Sequence, residues 1–289
     1  MLQAITIGTS QNPDALISRV DNELMTLRSR GIQFKYNVNH KGEFTFLGCD
    51  LYARNLTPRE FKYLLANIIA DIIIEDWAQI LVKKIIRDHY YYFNEEEKKS
   101  IKEKALELLK KEENKYYRLH RKEKVVERVL EYLERHDELV IEGFINFRLK
   151  DYISELEEIV DAAADDFLLE KEYLEFIRLL RYFVDIQEPK VNEVNILLEK
   201  NSMFKLLDSE GKEIENEYLE GFCVELMSNS VNYEDLLISA LITLAPKQLV
   251  IHLKNEEEFK ETIKTIQNVF GNKVNYCRGC TMCIPKKMQ

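Results

Sequence analysis

The sequence predicts a predominantly α-helical α+β protein, with a central helical domain flanked by small N-terminal and C-terminal α/β units. Three observations predict it. Breakers are scarce, 9 Gly and 5 Pro in 289 residues, which favours long uninterrupted helices. Apolar residues recur at helical spacing from about residue 58 to 186. On either side of that stretch, short apolar runs alternate with turn signals, the pattern of strands.

The elements follow in order. Leu2 to Ile7 reads as a strand, and Asn12-Pro13-Asp14 starts a helix, with Asn12 as cap and Pro13 at its first position. Leu16, Ile17, Val20, Leu24 and Leu27 then recur at helical spacing up to Gly31. Phe34 to Val38 and Phe44 to Leu47 flank Asn39-His40-Lys41-Gly42, a hairpin signal. At Thr57-Pro58-Arg59-Glu60 the character changes to a capping box. Helices are expected at 58–90, 95–136 and 150–186, with Glu138 to Phe147 readable as a short strand or a helix start. Glu188-Pro189 ends the region. Strands are then expected at 191–198, 203–207, 247–253 and 273–276. Helices are expected at 218–227, 233–244 and 256–270. The expected division is a small α/β unit at 1–55, a helical domain at 56–190 and an α/β domain at 191–289.

Composition narrows the function classes. Hydrophobic residues make up 46% and charged residues 32%, a globular balance. The start of the chain lacks the basic and apolar regions of a signal peptide. The most apolar stretch, Phe61 to Ile86, carries Lys62, Asp71, Glu75, Asp76, Lys83 and Lys84, charges that a membrane-spanning helix does not tolerate. A cytoplasmic location is expected, with no membrane partner. The five cysteines are then read as reduced or metal-bound, not as structural disulfides. A formal charge of −10 opposes nonspecific attraction to nucleic-acid phosphates.

Cys277-Arg278-Gly279-Cys280-Thr281-Met282-Cys283 is the sharpest chemical signal. Cysteines at i, i+3 and i+6 let one tight loop present several thiolates to a cation, with Gly279 relieving backbone strain. The implied cofactor is zinc or an iron–sulfur cluster. A closed site needs a fourth ligand, and Cys49, Cys223 and His252 are the candidates within the chain. The ferredoxin pattern is broken after Cys283, where Ile284-Pro285 follows. Reversible thiol chemistry, or no specific role, is the alternative reading of the cluster.

Charge is segregated within the helical region. Residues 98–128 hold 12 Lys/Arg against 6 Glu, whereas residues 131–175 hold 4 Lys/Arg against 15 Asp/Glu. The basic stretch, with Tyr116, Tyr117 and His120 interleaved, offers a nucleic-acid-binding helix. The bland reading is a solvated helix paired at i, i+4, as Glu107 is to Lys111. Asp161, Asp165 and Asp166 read as a solvated face, because adjacent carboxylates on a helix point about 100° apart. His89-Tyr90-Tyr91-Tyr92-Phe93 reads as packing against a neighbour. Phosphate-loop, dinucleotide-fingerprint, nucleophile-elbow and zinc-protease motifs are all lacking, and no catalytic residue is assigned.

Glu142-Gly143-Phe144-Ile145-Asn146-Phe147-Arg148-Leu149-Lys150-Asp151-Tyr152, Asp165-Asp166-Phe167, Glu170-Lys171-Glu172-Tyr173 and Phe176-Ile177-Arg178-Leu179-Leu180-Arg181-Tyr182-Phe183-Val184 together carry a resemblance. The chain resembles the YtxC-like family, associated with sporulation in endospore-forming bacteria, over roughly residues 56–289 and most strongly over 142–190. The terminal cysteine cluster is similar to that family too. The resemblance implies a setting, the cytoplasm of a spore-forming bacterium, and carries over no activity and no site.

The reading that results is a sporulation-associated, non-enzymatic interaction or structural protein, with a protein partner or a second copy of itself. A nucleic-acid-binding protein using residues 98–128 is the alternative, and a metal- or thiol-dependent redox protein a further one.

Overall fold

In β1 (Ala4–Thr9) every second side chain, Ile5 and Ile7, is fully buried, the period expected of a strand with one covered face. The architecture comes from a computed structural model that describes residues 4–29, 34–51, 57–111, 115–198, 204–214, 233–252 and 259–280. Leu2 and Gln3 of the expected strand lie outside the described residues. Helix α1 (Pro13–Ser29) and the hairpin strands β2 (Phe34–Lys41) and β3 (Phe44–Leu51) follow. The hairpin turns at Gly42, whose φ of 61° lies in the left-handed region that glycine adopts freely.

Thr57 caps α2 (Pro58–Asp71) as the sequence predicts. Its hydroxyl accepts from the Glu60 backbone N–H at 3.3 Å, and the Glu60 carboxylate accepts from the Thr57 N–H at 2.7 Å. The expected helix 58–90 is not uniform. A π-helical turn, Ile72–Trp77, separates α2 from α3 (Ala78–His89). That turn sends Glu75 and Asp76 toward Arg19 of α1, whose guanidinium pairs with both, at 3.0 Å to Asp76. Helices α4 (Glu95–Lys111) and α5 (Lys115–Leu133) follow, α5 packing along α2.

The ambiguous stretch after residue 137 satisfies both readings in succession: β4 (Glu138–Val140), then α6 (Ile141–Arg148). β4 pairs parallel to β1, Ile7 opposite Leu139, so the first sheet has the order β2-β3-β1-β4. Strand β4 lies within the expected helical domain, yet it completes the N-terminal sheet.

The chain forms two compact units, residues 1–169 and 170–289. Ile5, Ile7 and Leu47 of the sheet share one core with Phe61, Leu65 and Ile69 of α2, Val129 of α5 and Leu139 of β4. A strand and helices that bury their apolar faces on one another have no boundary between them. Helix α7 (Lys150–Ile186) contributes to both units: Leu156, Val160 and Ala163 to the first core, Ile177 and Val184 to the second.

In the second unit, β5 (Val191–Leu198) pairs antiparallel with β6 (Phe204–Leu207) and parallel with β7 (Pro246–His252). β7 pairs parallel with β8 (Val274–Tyr276), giving the order β6-β5-β7-β8. Helices α8 (Tyr233–Leu244) and α9 (Lys260–Phe270) cover it, with Leu237, Leu241, Ile266 and Val269 in the core with Val194, Ile196, Leu249 and Ile251. The expected helix 218–227 lies outside the described residues. Among the described residues, no helix is long and apolar enough to cross a membrane.

Candidate metal centre

Parallel pairing of β7 and β8 brings two distant pieces of sequence side by side. Ile251 is opposite Tyr276, so the next residues along, His252 at the end of β7 and Cys277 just past β8, lie side by side at the carboxyl ends of neighbouring strands. The Cys277 N–H still donates to the Ile251 carbonyl at 3.0 Å, which fixes where the cysteine loop begins. Gly279, at φ 117°, takes a conformation other residues rarely adopt, and the chain turns back through it. The Gly279 N–H lies 3.4 Å from the Cys277 Sγ and donates to it.

The turn returns Cys280 to His252. Its Sγ lies 3.5 Å from His252 Nδ1, and one donor atom each of His252, Cys277 and Cys280 lie within 4.8 Å of one another. Sulfur and nitrogen ligands of one tetrahedral zinc ion, at about 2.3 and 2.0–2.1 Å from the metal, stand about 3.6 Å apart. The separation between Cys280 and His252 therefore matches a shared ion without movement. The two cysteines are half-buried, whereas His252 is only 4% exposed. Burial holds the His252 pKa below the ordinary histidine value, against the opposing pull of the Glu193 charge. The imidazole is thus kept neutral, the form that ligates metal. Its Nε2 lies 2.9 Å from Oδ1 of Asn195, itself 4% exposed.

Of the candidate ligands, Cys277, Cys280 and His252 are brought together. Cys49 is not among them. It is fully buried in β3 in the core of the first unit, and burial, with the nearby Asp50 charge, pushes its thiol up to about 12. A thiol so enclosed packs as a small core hydrophobe. Cys283 and Cys223 lie outside the described residues. Sequence reasoning passed over Asn195. The available signal was a polar residue between Val194 and Ile196 in a strand that is otherwise apolar at its buried end.

Four cations of α5 are matched within their own unit. Arg121 and Lys124 both pair with Glu155 at 3.2 Å, Lys122 with Asp71 at 2.7 Å, and Arg128 with Glu131 at 3.5 Å. An open groove of about 980 Å³ runs beside α5, but Glu123, Glu127, Glu131, Glu134, Asp151 and Glu155 line it along with the cations. Cations already neutralised by neighbouring carboxylates give phosphates little net attraction. The aromatic run is partly packed: Tyr90 donates to the Asp161 carboxylate at 2.6 Å, and Phe93 meets the Phe167 ring edge to face at 5.8 Å.

No solved structure matches the chain. An uncharacterised protein of Bacillus subtilis (strain 168), YtxC, is 27% identical over 157 residues, 54% of each chain, so the match spans about half the length of that relative. A family profile matches residues 63–275, which include β7, two of the three residues of β8 and most of both units, and stop short of Cys277. The chain belongs to the YtxC-like family.

Proposed function

We propose that the second unit is a metal-stabilised module, with zinc held by His252, Cys277 and Cys280, and that the protein is a non-enzymatic interaction protein. The observation that carries the reading is the 3.5 Å approach of Cys280 Sγ to His252 Nδ1, with Cys277 in the same cluster. Three donors from two separate strand ends gain most from a cation, because clustered thiolates repel one another without one. Cys283, at the next step of the same cysteine spacing, supplies the fourth ligand of a closed Cys3His site, the structural type of zinc centre. An ion there ties the end of β8 to the end of β7 and secures the C-terminal segment. The setting proposed is the cytoplasm of a sporulating cell, from the family resemblance, and the partner is a protein or a second copy of the chain.

The test is anaerobic purification followed by elemental analysis and an ultraviolet–visible spectrum. One zinc ion per chain, lost in Cys280→Ser while the first unit stays folded, is the expected result. Visible charge-transfer bands and stoichiometric iron replace zinc with an iron–sulfur cluster. A chain free of stoichiometric metal, with Cys277, Cys280 and Cys283 all alkylated in the folded state, overturns the proposal.

A further inference from the structure

The buried pair Asn195–His252 holds more information than its distance. Asn195 Nδ2 lies 3.0 Å from the Asp208 backbone carbonyl and 3.1 Å from Glu193 Oε1. Both partners are pure acceptors, so the amide must turn its two N–H groups toward them. Its Oδ1 is therefore the atom that faces His252 Nε2 at 2.9 Å. A carbonyl oxygen only accepts, so Nε2 carries the proton, and in the neutral ring Nδ1 is the nitrogen whose lone pair can bind a ligand. Nδ1 is the nitrogen that lies 3.5 Å from Cys280 Sγ.

We propose that Asn195 is the positioning residue of the metal centre: it fixes His252 as the Nε2–H tautomer and presents Nδ1 to Cys277 and Cys280. The inference rests on the metal reading above for its consequence, but the tautomer itself does not require the metal. Partners of this kind fix the orientation of a ligating histidine and raise its basicity. Here the partner is itself anchored. Asp208 sits at the turn after β6, where its side-chain Oδ1 accepts from the Glu210 and Lys212 N–H groups at 2.8 and 2.9 Å. The same residue's N–H donates to the Lys212 carbonyl at 2.9 Å. A tight turn thus holds a carbonyl, the carbonyl orients an amide, and the amide orients the imidazole. The chain of contacts runs from the turn after β6 through β5 to the carboxyl end of β7, and it explains why an asparagine occupies a strand position flanked by buried Val194 and Ile196.

The full chain tests this, wild type beside Asn195→Leu, which keeps the size and suits the apolar surroundings but removes the acceptor. Long-range proton–nitrogen NMR of His252 in metal-free protein should show Nε2 protonated and Nδ1 bare in the wild type. In Asn195→Leu the signal should move toward a mixture of tautomers. Zinc affinity, read by competition with a chromophoric chelator, should fall about 10- to 100-fold in Asn195→Leu. Cadmium-113 substituted protein should show coupling to Nδ1 and none to Nε2. A protonated Nδ1 in the metal-free chain, coupling to Nε2, or a folded Asn195→Leu variant that binds zinc as tightly as wild type refutes the role of Asn195. Wild-type protein that shows the expected tautomer but takes up no zinc refutes the metal reading instead and leaves the positioning of His252 standing.

Discussion

Leu139→Ala tests the union of the N-terminal sheet with the helices. Leu139 is 0% exposed, lies at the middle of the three-residue strand β4 and sits opposite Ile7 of β1. Truncating a leucine so enclosed removes its transfer free energy and leaves a cavity, which together cost roughly 2.7–5 kcal/mol. The low end applies if neighbouring side chains relax into the space, so about 3 kcal/mol is a fair expectation. For a unit of residues 1–169 this corresponds to a fall in Tm of roughly 6–12 °C. The single tryptophan, Trp77, is 6% exposed in the same core and reports this unit alone. Urea unfolding followed by its fluorescence gives the loss directly. Hydrogen exchange shows its reach: protection should fall together in β1, β3, α2 and α5, and persist in β5 and β7. A Trp77 transition displaced by less than about 1 kcal/mol, or protection lost from the sheet while α2 and α5 keep theirs, would show that the shared core does not act as one unit.

Three further outcomes are expected. Iodoacetamide at mildly alkaline pH should leave Cys49 unmodified in the folded chain and label it in urea, because burial pushes its thiol up to about 12; native-state labelling at the rate of an open thiol would contradict that enclosure. Tyr36 donates to the Asp21 carboxylate at 2.7 Å, a bond that, with burial, pushes its hydroxyl from 10.0 up to about 12. Its contribution is intact below the unfolded value near pH 10 and is lost as pH rises through 12, because the unfolded chain gives up the proton first. Tyr36→Phe should therefore lose less stability than wild type between about pH 8 and about pH 11, and equal losses in urea midpoints would sink the argument. Binding to generic RNA or DNA should be weak at physiological salt, given the net charge of −10 and the matched cations of α5. Submicromolar binding by fluorescence anisotropy, abolished by charge reversal at Lys110, Lys111 and Lys122, would reverse that view.

Local signals in the sequence translated well into local structure. The capping box at Thr57, the turn at Gly42 and the apolar stripe of α7 each depend on neighbours within a turn or two, and each is found where expected. What failed to show depends on distant partners. Nothing near Glu138 announces that its strand pairs with residues 4–9, and without that pairing the N-terminal sheet looks like a separate domain. The π-helical turn at Ile72–Trp77 keeps a helical apolar pattern, so its extra residue is invisible until Arg19 is seen to reach both Glu75 and Asp76. At the candidate centre, cysteine spacing named Cys277 and Cys280. Selecting His252 over Cys49 required the parallel register of β7 and β8, which sequence spacing does not encode.

The pairing of β1 with β4 also sets a timetable for synthesis. β1 leaves the ribosome well ahead of its parallel partner, Glu138–Val140, which comes some 130 residues later. At roughly 5–20 residues per second, that gap is on the order of ten seconds. Throughout it, β1 can pair with the hairpin on one side only, and its other edge offers unsatisfied N–H and C=O groups to any strand within reach. Ile5 and Ile7 meanwhile wait for the helices that will cover them. The nascent chain is therefore most exposed to mispairing well before its second unit exists, and slowing translation between α1 and β4 would lengthen that hazard without altering any contact in the finished fold.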